Sequence, residues 1–293
     1  MSEFWDDAIR KLGFREDIIN IPGAPSFTNK YIDYLENRVL TPCLSSLQGQ
    51  MVLDVGTGIG RWASLIAVKA SYVIGIDISK EMVKIAKRRV SRRNVDFVVA
   101  SAYAIPLRSN SVDLSLSCTC IQHIVNERNQ QESLREINRV TRNRILLLEL
   151  MSKSGITRLT HYPTLVVPRS RYISTLKTSQ VKSISDIGVD FLPFVTLMEN
   201  YRNSLLKKLG LKVPSYGGSA KQRFLRNSYQ IISVFGLFFS LPFSKIVSNP
   251  SSDLTRHVLL IVQKGKMDAP IDAHTHIARV PRVETASHTV ALE

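Results

Sequence analysis

The sequence predicts an α/β fold, a three-layer sandwich on a mostly parallel sheet, with a helical cap inserted late in the chain. Three observations carry that expectation. Up to residue 151, short β-branched runs alternate with longer segments whose apolar residues recur at helical spacing. The first of these runs leads into a loop with glycine at every second position, Gly56-Thr57-Gly58-Ile59-Gly60. A last β-branched run, RHVLLIVQK (256–264), returns after a stretch of different character.

Taken in order, residues 1–47 read as an N-terminal helical segment. MVLDV (51–55), YVIGID (72–77), VDFVVA (95–100), VDLSLS (112–117) and RILLLEL (144–150) read as strands. They are nearly continuous apolar runs, as strands covered on both faces require. Between them RWASLIAVKA (61–70), SKEMVKIAKRRV (79–90) and NQQESLREINRV (129–140) carry helical periodicity, and Ser79 is placed to cap the second of these helices. Residues 48–151 are therefore expected to form the core, completed by a final strand within 253–265. From 152 to 252 the rhythm breaks: Pro163, Pro168, Pro193, Pro214, Pro242 and Pro250 leave short helices, loops and one strand near Val181–Ile187, read as a cap over the C-terminal edge of the sheet. Residues 266–293 have little periodicity and are expected to be a loose tail.

The chain has 293 residues, 44% hydrophobic and 22% charged, enough for a sizeable core and incompatible with wholesale disorder. A formal charge of +15 favours anionic partners such as nucleic acid, phosphorylated compounds or an acidic membrane surface. The excess is local: residues 151–252 hold 14 Lys and Arg against three acids, a net of +11. Cys43, Cys118 and Cys120 are too few and too irregular for a disulfide framework or a zinc site, which points to a reducing interior. The first residues, MSEFWDDAIRKLG, lack a signal-peptide pattern, and no window of 18 nearly continuous apolar residues occurs, so a cytoplasmic protein is expected. One segment, Arg223 to Val247, is apolar at its centre and flanked by cations. It suits either a buried wall of the cap or a peripheral contact with an anionic membrane. Asp272-Ala-His274-Thr-His276 imitates a metal-ligand pattern, but the enzymes that carry it need a barrel downstream and only 17 residues follow His276. No metal is expected.

The glycine loop is the most informative stretch. A dinucleotide fingerprint needs its third glycine at position 61, which is Arg, so the spacing excludes a pyrophosphate reading. Asp54, two residues before Gly56, puts a carboxylate at the strand end and suits a ligand that is cationic at one end.

Asp54-Val-Gly56-Thr57-Gly58-Ile-Gly60 resembles the D/E-x-G-x-G-x-G motif of the class I, Rossmann-like S-adenosylmethionine-dependent methyltransferases. The resemblance runs over residues 48–151, with RHVLLIVQK similar to the family's final strand. It implies S-adenosylmethionine as cofactor, held by Asp54, Gly56, Thr57, Gly58 and Gly60, with Asp77 and Ile78 at the ribose, Ser101 and Ala102 at the adenine, and Cys118 near the sulfonium. Two departures stand out. Ser101-Ala102 replaces the family's usual Asp-Ala, and Thr141-Arg-Asn-Arg144 replaces the Gly-Gly often found before the fifth strand.

Methyl transfer from a sulfonium is an in-line displacement in which alignment and proton removal are the protein's share. His123, after the fourth strand, is the candidate general base, its alternative being a ring that simply caps the local backbone. Gln122, Arg169 and Tyr172 are candidates to touch the acceptor. The compact plan resembles methyltransferases of small molecules, including quinone and lipid pathways, so a small-molecule or lipid-like acceptor of anionic character ranks first. An RNA (tRNA or rRNA) acceptor comes next, on the strength of the basic run Lys84, Lys87, Arg88, Arg89, Arg92 and Arg93. A fold that binds the cofactor without catalysing transfer is the remaining alternative.

Overall fold

The computed structural model describes residues 2–12, 26–159, 163–178, 180–189, 256–265 and 288–291. Two helices come first, α1 (Ser2–Leu12) and α2 (Ser26–Cys43). The core follows as β1 (Met51–Val55), α3 (Arg61–Ile66), β2 (Tyr72–Asp77), α4 (Lys80–Arg89), β3 (Val95–Val99), β4 (Val112–Cys118), a 3-10 turn at Ile121–His123, α5 (Glu127–Val140) and β5 (Thr141–Met151). Then come β6 (Thr157–Leu159), β7 (Thr164–Val166), α6 (Arg169–Leu176), β8 (Val181–Val189), β9 (Arg256–Lys264) and β10 (His288–Ala291).

The main sheet has the order β10-β8-β9-β5-β4-β1-β2-β3. Strands β1 to β5 are mutually parallel, with Leu53 opposite both Ile74 and Ser115. β9 runs antiparallel between β5 and β8, and β10 antiparallel on β8. Alternating residues of one strand feed two cores. Val52, Leu146, Leu148, Leu259 and Ile261 pack with Trp62, Ile66 and Leu40 on one face. Leu53, Ile145, Leu147, Leu260 and Val262 pack with Leu134, Ile137 and Tyr172 on the other. This two-sided burial is why the strands read as continuous apolar runs.

Local chemistry sets the element ends. Ser79 caps α4 by accepting from the Met82 amide at 3.1 Å, and Asn126 caps α5 by accepting from Asn129 at 3.0 Å. The first predicted helix stops at Ile66 instead of running to residue 70. Asn94 Nδ2 donates to the carbonyls of Ala67 (2.9 Å) and Ala70 (3.2 Å), satisfying the chain end as a turn. The absent Gly-Gly before β5 also has a substitute. Buried Lys264 reaches across from β9, and its Nζ donates to the carbonyls of Asn138 (2.5 Å) and Thr141 (2.6 Å) at the end of α5.

The region expected to be a helical cap differs in its described part. It holds one helix, α6, and a two-stranded ribbon of β6 and β7, while the strand expected near Val181–Ile187 is β8 of the main sheet rather than part of a cap. Antiparallel pairing with β9 over Val181–Val189 gives β8 a backbone partner that a cap could not supply. The tail also differs: His288–Ala291 is not loose but pairs with Ser183–Asp186, covering the outer edge of β8. Residues 190–255, including the apolar segment 223–247, lie outside the described residues, as does the Asp272–His276 pattern. Among the described residues no group of His, Cys, Asp and Glu could hold a metal, and no helix is long and apolar enough to cross a membrane.

Candidate functional site

A cavity opens at the C-terminal ends of β1, β2, β3 and β4, where open parallel sheets receive ligands. The glycine loop, the end of β2 (Ile76, Asp77, Ile78), the turn Ala100–Tyr103 and the segment after β4 (Cys118, Thr119, Cys120, His123, Ile124) form its walls, with Arg61, Trp62, Met82 and, from α1, Trp5.

Gly56 and Gly58 hold φ of +70° and +54°, in the left-handed region. A Cβ on Gly56 would lie 2.2 Å from Cys120 Sγ, whereas one on Gly58 would meet nothing within 4 Å. The loop is thus pressed against the β4 segment at one glycine and open toward the cavity at the next.

Asp54 is not where its sequence position suggests. It is buried and absent from the cavity wall; its Oδ2 accepts from Thr57 Oγ1 at 2.7 Å and from the Ala63 amide at 3.1 Å. Burial pushes its carboxyl up to about 6, opposed by these hydrogen bonds. The reading that this carboxylate faces a cationic ligand is corrected: it clamps the loop from behind. Thr57, clamped by it, still lines the cavity.

Asp77 does face the cavity. Its Oδ2 accepts from the Gly58 amide and its Oδ1 from the Ser79 amide, both at 2.8 Å, with the Ile78 amide also bonded to the carboxylate. Burial raises its carboxyl. Ser101 Oγ accepts only a long 3.3 Å bond from the Tyr103 amide, so its hydroxyl proton stays available beside Ala102.

The segment after β4 is organised by a residue that the sequence reading missed. Glu149, fully buried on β5, accepts from the amides of Cys120, Ile121 and Gln122, each at 3.1 Å, and from Ser117 Oγ at 2.7 Å. Burial raises its carboxyl to about 6 against those four bonds. A lone charge inside the apolar run LLLEL was the available signal, because such a charge must be partnered. Burial also pushes the thiols of Cys118 and Cys120 up, helped by Glu36 and Glu149 respectively, so neither is a nucleophilic thiolate at neutral pH.

His123 lines the cavity. A carbonyl can only accept, so its Nδ1–H donates to the Pro163 carbonyl at 3.1 Å, with Thr164 Oγ1 at 3.2 Å. That tautomer, assigned from the network, leaves Nε2 with its lone pair. Burial lowers the imidazole to about 4, so it is neutral at physiological pH. The indole of Trp5 meets it edge-on, centroids 5.1 Å apart. Nothing in the sequence marked Trp5, since its contact depends on α1 folding back over the sheet.

Three expected acceptor residues lie elsewhere. Gln122 is buried, with Oε1 accepting from the Leu150 amide at 2.7 Å. Arg169 pairs with Asp186 at 2.8 Å. Tyr172 is fully buried in the second core, its phenol pushed up by burial. None of them lines the cavity. They hold the fold that surrounds it. Arg61, noted in the sequence only as the break in the glycine spacing, lines the cavity and is ion-paired with both Asp33 and fully buried Glu36 of α2.

Comparison with known proteins gives this geometry a context. Residues 52–144 match the family model described as a methyltransferase domain. An uncharacterised protein of Methanocaldococcus jannaschii is 32% identical over 40% of this chain and 42% of its own. A demethylmenaquinone methyltransferase of Renibacterium salmoninarum is 32% identical over 36% of this chain and 42% of its own. This chain spans less than half the length of these relatives. Among solved structures, the O-methyltransferase of a trans-AT polyketide synthase multienzyme of Brevibacillus brevis, in complex with S-adenosylhomocysteine, superposes with a TM-score of 0.55 at 16% identity, covering 86% of this chain and 80% of that one. At that identity the likeness establishes a shared fold.

Proposed function

We propose that the protein, whose residues 52–144 match the methyltransferase-domain model and whose fold is Rossmann-like, is an S-adenosylmethionine-dependent methyltransferase acting on a small-molecule or lipid-like acceptor. The observation that carries the reading is the cavity itself. A glycine loop open at Gly58, a carboxylate at Asp77 in the cavity wall and the Glu149-locked segment after β4 converge on one space. A demethylmenaquinone methyltransferase among the relatives supports the acceptor class.

The residues fit the cofactor by their chemistry: Asp77 would take the ribose hydroxyls, with Ile78 alongside; Ser101, Ala102 and Tyr103 would bound the adenine; Gly56, Gly58 and Cys118 would line the methionine end. The cofactor supplies an activated methyl group. The chain's share is to align an acceptor against it and exclude water, and His123, neutral with Nε2 free, would accept a hydrogen bond from the acceptor. The three cysteines are free thiols, in keeping with the cytoplasmic placement we adopt.

Calorimetry with S-adenosylhomocysteine tests the reading. Asp77→Ala is expected to weaken binding at least about tenfold, or about 1.4 kcal/mol. Equal affinity in wild type and variant would remove the ribose assignment. A second reading, methyl transfer to RNA, draws on one observation: Lys87, Arg88, Arg92 and Arg93 are all exposed at the end of α4 and beyond. Incubation with methyl-labelled cofactor and, in parallel, total RNA and lipid extract separates the two. Label confined to RNA would favour the second.

A further inference from the structure

α1 precedes the matched domain, yet it completes the cavity. Asp6 Oδ1 accepts from Ser79 Oγ at 2.5 Å and from the Glu81 amide at 3.2 Å, so the helix is fastened at the start of α4, two residues from Asp77. Trp5 and Ile9 pack on a small core of Ile59, Met82 and Ile85. From that anchorage Trp5 reaches His123, the rings 77° apart, and joins the cavity wall. A single turn of α1 therefore spans from the Asp77 side of the cavity to the β4 side.

The residues that line the cavity from α1 and from the segment after β4 carry no charge at neutral pH. They are Trp5, Cys118, Thr119, Cys120, His123 and Ile124, and burial keeps the imidazole neutral. Among the described residues Arg61 is the one Lys or Arg in the cavity wall, and it is engaged by Asp33 and Glu36. Among the described wall residues an anionic acceptor would meet no free cation, while a flat ring could pack against the edge-and-face pair of Trp5 and His123.

We propose that Trp5 of α1 is a specificity-determining residue that, paired with His123, selects a flat, uncharged, hydroxyl-bearing ring as the methyl acceptor. The proposal rests on the methyltransferase reading. Proton chemistry agrees with it. A neutral imidazole of low basicity can assist the loss of a proton from a phenol, whose intrinsic pKa is about 10, far better than from an aliphatic alcohol. In the transfer the new O–CH3 bond forms as the S–CH3 bond breaks, the sulfonium leaves as a neutral thioether, and the phenolic proton passes to Nε2 and then to solvent.

The test uses the full chain saturated with S-adenosylhomocysteine, titrated calorimetrically with 1-naphthol and with 1-octanol, together with Trp5→Leu and Trp5→Phe. Leucine keeps apolar bulk on Ile59 and Met82, so α1 stays docked, but it removes the ring. Expected are a preference of about tenfold or more for 1-naphthol in wild type, its loss in Trp5→Leu, its retention in Trp5→Phe, and S-adenosylhomocysteine affinity within about twofold throughout. Equal binding of the two probes by wild type, or an undiminished preference in Trp5→Leu, overturns the proposal. Absence of S-adenosylhomocysteine binding in wild type would instead sink the methyltransferase reading, and this proposal with it.

Discussion

Gly56→Ala should be far more damaging to stability than Gly58→Ala, although both glycines sit in the same loop with positive φ. An alanine at φ near +70° or +54° carries a left-handed cost of about 1–2 kcal/mol, partly offset by about 0.4–1 kcal/mol from a less flexible unfolded chain. At Gly58 nothing more is added, because the new methyl meets no atom within 4 Å. At Gly56 the methyl would lie 2.2 Å from Cys120 Sγ and 2.5 Å from its Cβ. Cys120 cannot simply retreat, since its amide and the next two are bound to Glu149. Overpacking of this kind costs about 1–3 kcal/mol. Gly56→Ala is thus expected to lose about 2–4 kcal/mol and Gly58→Ala about 1 kcal/mol or less. Urea unfolding followed by circular dichroism measures both. Adding Cys120→Gly to Gly56→Ala removes both offending atoms, leaves the Cα at an ordinary 3.7 Å, and should restore most of the steric part. Equal destabilisation by the two alanines, or no recovery in the double variant, would refute the reasoning. Gly58→Ala should reveal itself in ligand binding instead, its methyl occupying the space left open for a ligand.

Two further outcomes follow from the buried charges. Burial raises the Glu149 carboxyl from 4.5 to about 6, so the stability that it contributes is fully present below pH 4.5 and is lost as pH rises through about 6. Wild type measured against Glu149→Gln by urea unfolding should lose relative stability across that window, and a flat difference would show that Glu149 is not desolvated as described. Arg61→Met strands the Glu36 carboxylate in the core and should cost about 3 kcal/mol by the same assay, with Glu36→Gln in that background recovering a large part.

The parallel sheet and the glycine loop were legible because period and backbone geometry are written locally. Strands buried on both faces must be apolar throughout, and a loop pressed on Cys120 has no room for a side chain at Gly56. What sequence could not give was direction. Gln122 lies next to His123 in the chain, yet one side chain turns into the fold to accept from Leu150 while the other reaches the cavity. Arg169 and Tyr172 sit on one helix turn away from the site, held by an ion pair and by core packing that no spacing announces. The Asp54 misreading has the same origin: a carboxylate at a strand end can point to the ligand or back at its own loop, and only the Thr57 and Ala63 contacts decide. Trp5 and Glu149 act across 118 and 29 residues of sequence, to His123 and Cys120, and only the folded chain brings them there.

The place of β9 in the sheet has a consequence for how the chain is made. β5 and β8 are separated by a strand that leaves the ribosome later than either, so while residues up to 189 emerge they have no common partner. The nascent protein therefore exposes the whole hydrogen-bonding flank of β5, with its ILLLEL run, until Arg256–Lys264 slots in. Only then can Lys264 satisfy the carbonyls at the end of α5. Vectorial synthesis thus holds the parallel half of the sheet in a sticky, unfinished state until Lys264 has emerged, the interval in which a chaperone would have most to protect.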